Sequence, residues 1–443
     1  MERRGKKRGS LLPAPAMVPG FVWLDHNTGD PELDPEVGSL GHAGPLHPRV
    51  SPVRASCLDT PHYGAGLTPG DDPQPAGTTT GARRGRPVVA VDAMGGDNAP
   101  AEIVAGAVAA VREHGIQVIL AGRPGQLRPL LASHHATGEI RVVPAEDSPG
   151  MDEGSLASWR RPRSSIAVPC QLVRRGLASA VVSAGSTGAI VTTARLRLRL
   201  LPGVLRPALA VMLPSRPTPT ILIDAGAIAD PKPEMLVQFA QLGVVYSQLS
   251  QGVAEPRVGL LTIGAEPGKG NKLARRSYEL LSEDPPHGGM PIGFIGNIEG
   301  GDLLTGKVDV AVTDGFSGNV ALKTLEGAVR FAVVQFRQIA TSSPAARAGA
   351  MLQRRKLREF AELVDSETYG GAVLLGLAGT VVIAHGASRA RGVTSACLLA
   401  ADLEQRQITE KIKERLGSGR HFLRRPLSQP KDAREPREAR DAE

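Results

Sequence analysis

Two stretches of the chain set turn-forming glycines where an anion would be held. Ile263 to Asn271 reads IGAEPGKGN, and Val89 to Pro100 reads VAVDAMGGDNAP. A strand that feeds a helix through a glycine-rich turn leaves several backbone N–H groups pointing at one spot, where the helix dipole favours negative charge. In the first stretch Gly268, Gly270 and Asn271 surround Lys269, so a cation stands beside such a nest. The spacing is not that of a Walker A loop, and no Ser or Thr follows Lys269, which argues against a nucleotide triphosphatase. In the second stretch Asp92, Gly95, Gly96, Asp97 and Asn98 fall between an apolar run and a helical pattern. The structural alternative there is a tight turn, with Asp97 or Asn98 capping the helix and Pro100 in its first turn.

These motifs need strands to end beneath them, and the sequence supplies such strands. From Pro87 onward short Val/Ile/Leu runs alternate with amphipathic stretches: VVAVDA, IQVILAG, IRVVPA, SAVVSAG, LAVML, TILIDAG, RVGLLTIG, IGFIGNI, VDVAVTD and TVVIAHG. Near-continuous apolar runs separated by helices mark a parallel or mixed sheet covered on both faces, so the expected class is an α/β fold. Ligands bind beyond strand carboxyl ends in such sheets, and polar or small residues gather there. They include Ser183, Thr187 and Gly188 in VSAGSTGA, Asp224 in ILIDAG, Asn297 in FIGNI, Asp314 in VAVTDG and His385 in VVIAHG.

Composition narrows the classes further. A hydrophobic share of 41% supports a real core, while 3% aromatics argue against a base-stacking nucleic-acid surface. The formal charge of +8 implies attraction to something acidic without choosing a partner. Cys57, Cys170 and Cys397 lie far apart with no zinc-ligand spacing, which fits a reduced cytoplasmic protein with no structural metal. No stretch approaches the ~20 apolar residues that cross a bilayer, and no export signal is read in the proline-broken start. Residues 1–86 hold 12 prolines and 13 glycines and read as a disordered extension; 87–417 form the catalytic domain, and 418–443 a charged, solvated tail.

Taken together, VAVDAMGGDNAP, VSAGSTGA, DAGAIADPKPE, IGAEPGKGN, GNIEGGDLLTG, DGFSGNVALKTLEG and YGGAVLLGLAGTVVIAHG closely resemble the bacterial phosphate acyltransferases, the PlsX family, from about Val88 to about Leu416. The resemblance implies an open three-layer α/β/α sandwich, Rossmann-like and similar to the isocitrate and isopropylmalate dehydrogenases. It implies transfer of a long-chain acyl group from acyl carrier protein to inorganic phosphate, giving acyl phosphate for phospholipid synthesis. It further implies a homodimer without organic cofactor, cytoplasmic and peripheral on the inner membrane face, passing product to a membrane glycerol-phosphate acyltransferase. No nucleic acid is involved.

Because phosphate is itself the nucleophile, no serine or cysteine triad is required, and none is visible. Lys269 is the expected cation on phosphate, and Asn319 in DGFSGN the expected amide donor, its structural alternative being a helix N-cap. Asp92 is expected to organise the site, since a carboxylate beside phosphate is unfavourable. Ser183, Thr187 and Gly188 would cradle phosphate, with Asp224, Lys232, Glu234, Asn297 and Asp314 on the rim. His385 reads as a structural donor, because phosphate dianion hardly needs a base near neutral pH. Ser186, Ile228, Ala265 and Gly301 stand where the family's pattern has asparagine, asparagine, glutamate and arginine, which removes polar groups near the expected site.

Two basic clusters complete the reading. In Ala345 to Val364, Leu357 and Phe360 share an apolar face with Ala361 and Val364, flanked by Arg354, Arg355, Lys356 and Arg358, the pattern of an interfacial helix on anionic lipid or of a dimer-interface helix. Arg195, Arg197 and Arg199 would meet acidic carrier protein or form a generic exposed edge. Two rival functions share the fold: a noncatalytic scaffold joining carrier protein to membrane, and an isopropylmalate-type dehydrogenase, which fold analogy alone supports.

Overall fold

A computed structural model describes residues 86–145, 161–283 and 290–416. The expected tail lies outside these residues, as does the expected extension apart from Arg86. The chain opens with β1 (Val88–Asp92), α1 (Ala101–His114), β2 (Gln117–Gly122), α2 (Pro124–Ser133) and β3 (Arg141–Pro144). Next come α3 (Ala167–Arg174), β4 (Ala180–Ser183), α4 (Thr187–Leu198), β5 (Ala208–Leu213), β6 (Thr220–Ile223), α5 (Pro233–Ser250) and β7 (Val258–Leu261). Then follow α6 (Lys272–Leu281), β8 (Phe294–Ile298), β9 (Val310–Val312), α7 (Gly315–Thr341), α8 (Pro344–Leu352) and α9 (Arg354–Val364). The described residues close with β10 (Ala372–Leu375), β11 (Thr380–Ile383), α10 (Ala390–Gln405) and α11 (Ile408–Leu416).

All strands join one 11-stranded mixed sheet in the order β3-β2-β1-β4-β11-β10-β5-β6-β9-β7-β8. Side-chain alternation along each strand feeds two cores. Val89, Val91, Ile221, Ile223, Val310 and Val312 pack with α1, α5 and α10 on one face. Leu222, Ala311, Val381 and Ile383 pack with α3, α4 and α7 on the other. Both faces are therefore dry, which is why the strands read as continuous apolar runs rather than alternating ones.

Ten of the strands match the apolar runs of the sequence; β10 does not. It pairs antiparallel with both β11 and β5, and β5 pairs antiparallel with β6. Strands β3, β2, β1, β4 and β11 thus run one way, while β6, β9, β7 and β8 run the other. One row of paired residues crosses the centre: Val91, Val182, Val382, Val373, Ala210, Ile223, Val312 and Leu260. Asp92 and Ser183 lie one residue beyond this row in one direction, Asp224 and Thr313 one residue beyond it in the other. The polar strand ends consequently form two groups on either side of the central pair, not the single edge that a simple parallel sheet would give.

Candidate active site

The first group gathers at β1, β4 and β11. Asp92 and Ser183 are both buried, and the Ser183 hydroxyl donates to Asp92 Oδ2 at 2.7 Å. The Met94 N–H also donates to Asp92 Oδ1, at 3.1 Å. Burial pushes the Asp92 carboxyl above its ordinary pKa, and the hydrogen bonds from the Ser183 hydroxyl and the Met94 amide oppose that rise. Asp92 therefore organises the turn, as its charge suggested. The Ser183 hydroxyl, expected on phosphate, is spent on Asp92 and on accepting the Gly185 N–H at 3.2 Å.

Glycine is required where the two turns meet: a Cβ on Gly95 would stand 2.6 Å from Asp92 Oδ2 and 3.0 Å from the Gly185 nitrogen. Neither Asp97 nor Asn98 caps α1; the capping position is Pro100. Instead the Asp97 N–H donates to the Gly386 carbonyl at 2.8 Å, and the Asn98 amide donates to the carbonyls of Ala387 and Ser388. The opening turn is thus laced to the loop after β11. Thr187 and Gly188 form the first turn of α4 behind Ser186, with open space at Gly188.

The second group gathers at β6, β7, β8 and β9. Asp224 was expected on the rim, but it is fully buried and accepts N–H bonds from Leu209, Gly226, Ala227 and Ile228 at 2.7–3.2 Å. It shapes the loop rather than facing a ligand. The Ile228 carbonyl accepts the Gly315 N–H at 2.8 Å, so its backbone does the holding and the absent asparagine side chain takes no part in it. Lys232 and Glu234 stand at the start of α5.

α7 docks onto this loop by close backbone approach. A Cβ on Gly318 would fall 2.0 Å from the Asp224 carbonyl oxygen, and one on Gly315 2.6 Å from the Ile228 carbonyl oxygen. Asp314 caps α7 by accepting the Ser317 N–H at 2.8 Å. Asn319 is therefore no cap: it lies inside the helix, exposed, with its amide over Gly226.

The Lys269 loop closes the same side. Asn271 caps α6 by accepting the Ala274 N–H at 2.8 Å, and the Lys269 N–H bonds the Glu266 carbonyl. Asn297 is buried, and its amide donates to the Glu266 carbonyl at 2.7 Å, anchoring the loop from below rather than meeting a ligand. The Lys269 ammonium is half exposed and only 3.9 Å from Glu266 Oε2, a loose ion pair. A cavity of about 90 Å³ opens between the first turns of α6 and α7, lined in part by Leu236, Leu260, Leu261, Ile263, Leu273 and Ala274 and for the rest by Thr262, Gly270, Asn271, Thr313, Asp314 and Ser317. Thr313 is 1% exposed, and its hydroxyl has no partner. Asn271 and Asp314 take the Ala274 and Ser317 amides, so the donors this recess offers are the Thr313 hydroxyl and the first-turn N–H groups left uncapped. A larger groove, about 680 Å³, opens at the amino ends of β1 and β2 near Arg86 and Arg141, away from every polar strand end.

Sequence reasoning passed over two residues, Lys323 and Glu326, that join the two groups at His385. Lys323, one turn after Asn319, pairs with Glu326 at 2.8 Å, and its Nζ lies 3.4 Å from His385 Nε2. The Glu326 carboxylate lies 3.7 Å from the same ring nitrogen. Burial alone would raise the Glu326 pKa, yet bonds to His385 and Lys323 bring it down to about 2. The Ala387 N–H donates to His385 Nδ1 at 3.2 Å, which leaves Nε2 to carry the proton of the neutral ring on the side of Glu326. The signal lay in the helical spacing of Asn319, Lys323 and Glu326 within one motif.

The profile of a family described as "Fatty acid synthesis protein" matches residues 88–411. The chain is 64% identical over 327 residues to a phosphate acyltransferase of Thermobifida fusca, covering 74% of this chain and 90% of that one. It is 42% identical over 330 residues to a phosphate acyltransferase of Gloeobacter violaceus, covering 74% and 96%. Among solved structures it is similar to a phosphotransacetylase from Streptococcus pyogenes, with TM-score 0.49 and 17% identity, covering 72% and 94%. The chain belongs to the fatty acid synthesis protein family that includes the phosphate acyltransferases. It is an acyltransferase.

Proposed function

We propose that this enzyme transfers a long-chain acyl group from the thioester of acyl carrier protein to inorganic phosphate, yielding acyl phosphate for phospholipid synthesis. The observation that carries the reading is the recess between the first turns of α6 and α7, with Lys269 beside it and Asn319 on the adjoining helix face. A phosphate oxygen attacks the thioester carbon, and the C–S bond breaks as the tetrahedral intermediate collapses. The proton carried by hydrogen phosphate passes to the departing carrier sulfur, so the step balances without an added base. Lys269 offsets charge on phosphate, and Asn319 donates to phosphate or to the acyl oxygen. Positioning and electrostatic stabilisation are the whole of the demand on the protein.

The same reading places the enzyme as a peripheral homodimer on the inner membrane face, handing product to a membrane glycerol-phosphate acyltransferase. No helix among the described residues is long and apolar enough to cross a membrane. Phe331, Val334, Phe336 and Ile339 on α7, Met351 and Leu352 on α8 and Phe360 on α9 are all exposed, an apolar surface fit for a second copy or a bilayer. For carrier protein, Arg195 and Arg199 are exposed and Arg197 half-buried, with Arg199 beyond the end of α4, so they form no single helix edge.

The test is incubation of the full chain with palmitoyl acyl carrier protein and phosphate, following phosphate-dependent acyl phosphate and free carrier thiol. Product that disappears in Lys269→Ala supports the transferase. No product across several chain lengths, with carrier protein still bound, supports the scaffold instead.

A further inference from the structure

We propose that Lys323 is a second phosphate-contacting cation of this site, with Glu326 and His385 as its positioning residues. The inference rests on the acyl transfer to phosphate proposed above and deepens it.

α7 touches both polar groups. Near its start Asn319 lies over Gly226, its Oδ1 3.5 Å from where a Cβ would stand. One turn later Lys323 reaches the loop after β11, and residues four apart share a helix face. The amide and the ammonium therefore present adjacent donors to the space between the Asp224 loop and the His385 loop. That second loop is fixed: Asp97 and Asn98 bond its carbonyls, and the Ala387 N–H holds the imidazole through Nδ1.

The ammonium's surroundings suit a ligand better than a structural ion pair alone. Glu326 is the more buried partner, 20% exposed against 52% for Lys323, so the carboxylate sits behind and the cation faces outward. An ammonium has three donors, and Glu326 engages one. Glu326 stays ionised across the working pH range, because His385 and Lys323 outweigh its burial. Hydrogen phosphate brings two negative charges, and Lys269 supplies one positive charge. A second cation offsets the remainder and helps hold the nucleophile.

The experiment measures binding of inorganic phosphate to the full chain by calorimetry, without acyl donor, and separately the phosphate KM and kcat. Lys323→Met is expected to weaken phosphate about 10- to 100-fold, the worth of a charge-assisted contact, with its circular dichroism unchanged. Lys323→Arg is expected to recover most of that affinity, and Glu326→Gln to raise the phosphate KM more than it lowers kcat. Wild-type affinity in Lys323→Met, or an equal loss in Lys323→Arg, overturns the proposal, as does a wild type that binds no phosphate. If the wild type binds phosphate through Lys323 yet makes no acyl phosphate, the transferase reading falls and the cation site stands.

Discussion

The hydroxyl of Ser183 at the end of β4 donates to Asp92 Oδ2 at the end of β1, 2.7 Å away and out of contact with water. This one bond ties two neighbouring strand ends and fixes the turn through Gly95. A buried carboxylate that loses a donor carries the desolvation cost of an unsatisfied group. Ser183→Ala is therefore expected to lower the unfolding free energy by about 1–3 kcal/mol, read from urea denaturation, while Ser183→Thr retains the donor.

The second group is held by backbone contact, which makes it sensitive to the smallest substitution. In Gly318→Ala the new methyl would sit 2.0 Å from the Asp224 carbonyl oxygen, and neither chain segment ends in a flexible side chain that can yield. The cost is expected near the upper end of overpacking penalties, about 3 kcal/mol, together with loss of acyl transfer because Asn319 moves with the helix. Gly327→Ala, in open space further along α7, serves as the control and is expected to melt at or above the wild-type temperature, since alanine favours a helix interior over glycine.

Much of this arrangement was legible in the residues. The apolar runs marked ten strands because both faces of the sheet are dry, and the glycine turns marked the strand ends. What stayed hidden was β10: AVLL sits between glycine turns in YGGAVLLGLAG, and four residues carry too little pattern to stand out. Its two antiparallel pairings leave β5 parallel to β11, and the antiparallel β5–β6 pairing then reverses the remaining strands and divides the polar ends into two groups, a consequence of pairing rather than of any local motif. Asp224 and Asn297 looked like rim residues because sequence gives their chemistry but not their depth. Lys323 was overlooked because its partner His385 lies 62 residues away and meets it only through the fold.

Attachment to anionic lipid is expected to depend unevenly on the basic residues of α9. Arg355 and Lys356 both pair with Glu359, at 3.1 and 2.9 Å, which spends part of their charge within the helix. Arg354 and Arg358 are exposed on the same helix. With each free cation worth about 1 kcal/mol near an anionic surface, Arg354→Gln with Arg358→Gln should weaken binding to phosphatidylserine-containing vesicles more than Arg355→Gln with Lys356→Gln does. Vesicle sedimentation at two salt concentrations checks this, and equal losses from the two pairs would remove the distinction.

Glu326 gives the protein an acid-sensitive increment of stability whose sign follows from its partners. Burial by itself would raise this carboxyl, but His385 and Lys323 stabilise the charged form and bring it from 4.5 to about 2. A carboxyl depressed on folding contributes stability that is fully present above its unfolded value and is lost as pH falls toward the folded one. The window is thus about pH 4.5 down to about 2. Glu326→Gln removes the increment, on the order of 1–3 kcal/mol once solvent screening of the half-exposed lysine is allowed for. The difference between wild type and Glu326→Gln in chemical denaturation should be constant above about pH 5.5 and shrink across the acid window. A difference that does not change with pH would mean that the glutamine variant fails through packing, and that the charge of Glu326 contributes nothing to holding α7 against the His385 loop.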